Sequence, residues 1–328
     1  MTVPAWVLLV LAPLSGELVS GSMPPAEWIN LVGIIMLPLL YGGGAILVRE
    51  TCVRWRKGWP TMLALGAAYG IVEEGLMCKS FFDPAWGDLG PLGVYGRSLG
   101  VNWVWSAGLT GFHAVWSIAI PVTLTGLMFP ARKGRWTGNT TMGILGGLFV
   151  LDVAVGFLFI SKYRPPLLHF VLCMAAVAAI CLLARILPVP RRARQSAVPT
   201  ALFWLAFLWA VMWFAALWVM PATVKYPVAT MAVMTAIAGS GIMLFSRVVK
   251  RPGPRHRLAL AAGVLSLFIL LAPIQEMDKK RKDDTRGMTL VGIATAAGLA
   301  GLRWKIGTDE GRGKRGKGTR DRTGVNVA

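Results

Sequence analysis

Charge is scarce in this chain, and acid is scarcest. Aspartate and glutamate number 15 and lysine and arginine 34 among 328 residues, so 15% of side chains are charged against 55% hydrophobic. A soluble domain of this size carries more charge and more amphipathic periodicity. Here the apolar residues come in runs as long as a bilayer core requires, and the mean hydropathy is +0.60. The four cysteines, Cys52, Cys78, Cys173 and Cys181, include no CxxC pair. That excludes a zinc cluster or a disulfide framework and favours free thiols packed among helices. No positive stretch precedes Val3, as a secretory signal needs, and neither an HExxH motif nor an internal repeat stands out.

What is present is a series of ten apolar runs, at about 3–19, 28–48, 59–77, 103–129, 142–161, 167–188, 200–220, 227–246, 258–274 and 288–302. The net charge of +19 does not signify nucleic acid, because the basic residues lie between apolar runs and in the C-terminal tail. Arg49, Arg54, Arg56 and Lys57 follow the second run, and Arg132, Lys133 and Arg135 the fourth. Arg191, Arg192 and Arg194 follow the sixth, and Arg247, Lys250, Arg251, Arg255 and Arg257 the eighth. The alternate connections balance their cations with acids. Every second loop is thus cytoplasmic by the positive-inside rule, and both termini are inside.

The fold class expected is all-α, a polytopic transmembrane helical bundle of about ten spans in a cell membrane. The first run is short, carries Pro13 and reads as a short or kinked helix. Cleavage near 20–22 would leave nine spans. The transmembrane domain occupies 1–306, and the Gly-rich basic tail 307–328 reads as disordered, adhering to the anionic inner leaflet. Trp28, Trp59, Trp103 and Trp304 sit near run ends as interfacial residues do, whereas Trp209 and Trp213 lie deeper, as packing.

The polar residues inside the runs are the candidates for function. Glu73 and Glu74 close the third run, behind Gly66 and Gly70, whose spacing lets another helix approach closely. In the fourth run Asn102, Ser106, Thr110, His113 and Ser117 are spaced by four, four, three and four residues, which puts them on one helical face. Pro121 should free the Ser117 carbonyl and kink the helix. Asp152 lies within the fifth run, His169 opens the sixth, and Glu17 reaches the same boundary. Adjacent helical residues point about 100° apart, so one glutamate should face the stripe and the other pair with Lys79, Arg97 or Tyr69. No cofactor is required, although carboxylates and imidazole suit zinc or manganese.

The order Glu73-Glu74, His113, His169 resembles the CPBP family of glutamate-dependent intramembrane proteases, the CAAX protease-like group, which carries a di-glutamate and two later histidines on separate membrane helices. The resemblance implies that Glu73, Glu74, His113 and His169 are catalytic and that the substrate is a membrane-embedded peptide. The arginine usual in that family four residues after the second glutamate is Cys78 here, with Lys79 next; the phenylalanine expected four residues before the first histidine is Leu109; the Asn or Asp expected four residues after the second is Cys173. The tracts 69–76, 101–105 and 112–117 are also similar to a group of uncharacterised prokaryotic multi-pass membrane proteins. Two other classes fit the residues: a proton-coupled carrier using His113 and Asp152 as relay groups, and a scaffold whose polar residues only join helices.

Overall fold

The computed structural model describes residues 1–87, 89–189, 198–248 and 253–322, without the side chains of 243–248 and 312–322. The apolar runs become helices: α1 Val3–Pro13, α2 Gly43–Arg54, α3 Trp59–Ile71, α4 Trp103–Phe112, α5 Ile120–Met128, α6 Asn139–Phe159, α7 Leu167–Ile186, α8 Pro199–Trp218, the short α9 Met220–Thr223, α10 Pro227–Val248, α11 Pro254–Met277 and α12 Met288–Arg322. Extended structure among the described residues is confined to two antiparallel two-residue strands, β1 Arg97–Ser98 and β2 Val101–Asn102. Among the described residues, six helical stretches are long and apolar enough to cross a membrane: Val32–Arg54, Trp103–Met128, Asn139–Phe159, Leu167–Ile186, Pro199–Trp218 and Pro254–Met277. Val3–Leu18 and Pro227–Ile242 are shorter apolar helices.

Among the described residues five stretches are wound as π-helix: Leu14–Leu18, Val32–Met36, Pro38–Gly42, Val72–Met77 and His113–Ala119. Their five-residue bonds are explicit, as in Val19 N–H to Leu14 O at 2.9 Å and Cys78 N–H to Glu73 O at 2.8 Å. Such turns are rare and recur at functional sites. Proline explains two of them locally. Pro121, just past the 113–119 turn, cannot donate to Ser117, and the wider turn absorbs the lost bond in place of a sharp kink. Pro38 likewise opens the 38–42 turn.

Two apolar cores flank these turns. One joins α4, α5, α8, α10, α11 and α12, and the other α1, α2, α3 and the adjoining π-turns. In the first, Phe112, Trp116, Trp209 and Trp213 stack in series at centroid spacings of 5.3, 5.7 and 5.7 Å, so the deep tryptophans do pack. α6 and α7 turn large apolar side chains outward, among them Val150, Phe159, Leu167 and Ile186. That is how a lipid-facing helix reads.

α12 runs as helix through Arg322, with an Arg255–Glu310 ion pair of 2.8 Å joining it to α11. A helix that is already nucleated extends at one bond per added residue. Residues 323–328, and the basic residues Arg191, Arg192, Arg194, Lys250 and Arg251, lie outside the described residues.

Candidate functional site: a buried glutamate–histidine–glutamate cluster

Four of the five π-turns carry the polar groups of one cluster. Glu17 comes from 14–18, Tyr41 from 38–42, Glu73 and Glu74 from 72–77, and His113 and Ser117 from 113–119. The glycines of α3 make the approach possible. A Cβ on Gly66 would stand 2.9 Å from Ala114 Cα, and one on Gly70 2.9 Å from His113 Cβ. α3 is thereby seated directly on the 113–119 turn, as the small-residue spacing predicts.

His113 is bracketed. Its Nδ1 lies 3.2 Å from Glu73 Oε2 and 3.0 Å from Ser117 Oγ, and its Nε2 lies 3.1 Å from Glu74 Oε1. Glu73, Glu74 and His113 are 4%, 7% and 1% exposed. The expectation that the two glutamates diverge is therefore corrected. A π-turn holds more residues per turn and narrows the angle between neighbours, and the imidazole offers a nitrogen at each end.

Glu74 is further fixed by the Ser80 hydroxyl, which in turn accepts from Trp105 Nε1 at 3.0 Å. Glu73 Oε2 has no hydrogen bond of good geometry, and neither has the Tyr69 hydroxyl. The Tyr41 hydroxyl donates to Glu17. The rings of Tyr41 and Tyr69 stand 6.0 and 5.9 Å from that of His113.

The other candidates fall elsewhere. Asn102 caps α4, accepting from Trp105 N–H at 3.0 Å and donating to the Leu92 carbonyl, and Ser106 donates to Asn102 O at 2.6 Å. These two shape the helix start. Thr110 backs Gly70, with its Cα 3.3 Å from the Cβ that Gly70 lacks. Asp152 is 5% exposed, and its Oδ2 is without a hydrogen bond. It shares the face of α6 on which Phe149 meets Tyr69 and Gly156 meets Met77.

His169 does not join the cluster. Its Nε2 lies 2.7 Å from Leu99 O, and its ring is edge-on to Phe82 at 5.3 Å. The reason is axial. Opening α7 fixes it beside the 97–102 turn, and His113 lies eleven residues beyond Asn102 along α4, about 16 Å of helix. Lys79 and Arg97 are also occupied. Lys79 Nζ donates to Phe157 O and Ser161 O at 2.6 and 2.7 Å, and Arg97 donates to the carbonyls of Gly93, Phe82 and Asp83.

Sequence reasoning missed Tyr41, Ser80 and a second buried cluster. In that cluster Glu50 accepts from Arg49, Arg54 and Thr137, and from the Trp136 N–H at 2.9 Å. The Arg49-Glu50 dipeptide at the end of an apolar run was its only signal.

Fold and cluster together define a multi-pass helical membrane protein with a buried carboxylate–imidazole site. A family model described as an uncharacterized membrane protein family matches residues 6–302, and the chain belongs to that family. No solved structure matches it.

Proposed function

We propose that the chain is an intramembrane hydrolase acting on a membrane-embedded peptide, with Glu73 as general base. The observation that carries this reading is the bracketing of His113 by two buried carboxylates, only one of which is fully engaged. Glu74, held by Ser80, fixes the imidazole. Glu73 takes the proton of a water as that water attacks the peptide carbonyl, and His113 returns a proton to the leaving amine. Ser117 at Nδ1 orients the ring. His169 has no role in this scheme. The arrangement supports the di-glutamate and first-histidine part of the CPBP resemblance.

Ten spans in a prokaryotic cell membrane, with both termini cytoplasmic, complete the proposal, on the strength of the alternating basic loops. They place the site in the outer half of the membrane.

The test is a comparison of membrane-protein N-termini in cells producing the wild type, Glu73→Gln, Glu74→Gln or His113→Ala. New termini inside or beside apolar segments should appear with the wild type and vanish with each variant. Identical sets in all four would refute a hydrolase. A second reading, a proton-coupled carrier, is favoured by the unpartnered Asp152 carboxylate on the face of α6 turned to α3. It predicts proton uptake by proteoliposomes that Asp152→Asn abolishes.

A further inference from the structure

We infer that Glu73, Glu74 and His113 hold a divalent cation of the zinc or manganese type. One ligand atom from each lies within 4.8 Å of the others, close enough for a single ion to gather all three with small side-chain shifts. The charge at the site calls for one. Glu73 and Glu74 are both buried, and His113 is the basic group they touch among the described ion pairs. Lys79 and Arg97, the cations expected to pair with the glutamates, spend their donors on backbone carbonyls. Buried anions are stable when paired or when they coordinate a metal.

The surroundings point the same way. Glu73 Oε2 has His113 Nδ1 at 3.2 Å but no hydrogen bond of good geometry, and the almost fully buried Tyr69 hydroxyl is turned toward the same carboxylate. Ser117 against Nδ1 is the outer contact that a metal-binding histidine uses to fix its ring, leaving Nε2 beside Glu74 for the ion. An imidazole with two carboxylates suits zinc or manganese, whereas magnesium and calcium prefer all-oxygen shells. The inference goes beyond the hydrolytic reading, in which a bound ion would stand in place of the His113 proton, and it holds equally for a carrier.

The experiment uses the full chain purified in detergent, stripped with EDTA and titrated with zinc or manganese, with magnesium and calcium alongside. Bound metal and the melting temperature are both read. The wild type should take up about one zinc or manganese ion per chain and melt higher with it. Glu74→Gln and His113→Gln should bind at least about tenfold more weakly. Should either variant fail to fold, Ser117→Ala carries the test, with affinity weakened by about tenfold. A stripped wild type that neither binds nor shifts overturns the inference, as do variants that bind as tightly. No cleavage enters this readout, so its failure is separate from failure of the hydrolytic reading.

Discussion

Replacing Glu50 with alanine should be among the most damaging single changes in this chain. Glu50 is fully buried near the end of α2. It receives Arg49 and Arg54, the Trp136 N–H at 2.9 Å, the Thr137 N–H at 3.4 Å and the Thr137 hydroxyl at 3.3 Å. These contacts tie the basic connection between α5 and α6 to α2. With the carboxylate gone, Arg49 stays buried over the Trp136 ring at 3.7 Å, with Gly134 O at 2.7 Å as its best remaining acceptor.

Removing one partner of such a pair costs about 3–5 kcal/mol. Arg54 is partly exposed and recovers some of that from water, which places Glu50→Ala near the lower figure. Glu50→Gln keeps the shape and one acceptor, and should cost about 1.5–3 kcal/mol, the scale of a hydrogen bond to a charged group. Equilibrium unfolding of the purified protein by SDS in mixed micelles measures both, and proteolysis within 130–138 reports the loosened connection. A Glu50→Ala loss below about 1 kcal/mol, the worth of an exposed pair, would refute this account of the clamp.

Other consequences are equally direct. Gly70→Val puts a branched side chain 2.9 Å from His113 Cβ, well inside van der Waals contact, and should cost about 1–3 kcal/mol and abolish zinc binding. Gly43→Ala, with nothing within 4 Å of its Cβ, should be neutral in the same titration. Lys79→Met should free the end of α6 and speed hydrogen exchange at 157–163, since Lys79 closes the Phe157 carbonyl of α6 and the Ser161 carbonyl just past it. Burial lowers the Lys79 pKa, so the folded chain sheds that proton before the unfolded chain does. Stability of the wild type relative to Lys79→Met should therefore rise across the alkaline range up to lysine's ordinary value.

The membrane helices were legible because runs of bilayer length leave little else to form, and each apolar run became helix. Gly66 and Gly70 were legible as a close-approach face because a missing Cβ has one main use between membrane helices. The convergence of Glu73, Glu74 and His113 was only half legible. Ideal α-geometry separates neighbours, and a π-turn is set by packing and, at 113–119, by Pro121 just past it. Tyr41 and Glu17 meet across such turns for the same reason.

The position of His169 escaped because order along the chain says nothing of depth, and its helix opens at the level of the 97–102 turn. Glu50 was hidden by its partners, Trp136 and Thr137, which lie far along the chain in a connection that reads as a plain basic loop. The helical extension past residue 307 depends on α12 being nucleated upstream, whereas composition alone favours disorder.

The claim that most needs testing is that Glu73, Glu74 and His113 act as one unit. Double-mutant cycles pairing Glu73→Gln and Glu74→Gln with His113→Gln, read by SDS unfolding of the full chain, test it most directly. Contact at 3.1 and 3.2 Å predicts coupling of at least about 1 kcal/mol in both cycles. Additivity within about 0.5 kcal/mol in both would mean that the three side chains do not meet, and the site would have to be sought elsewhere in the bundle.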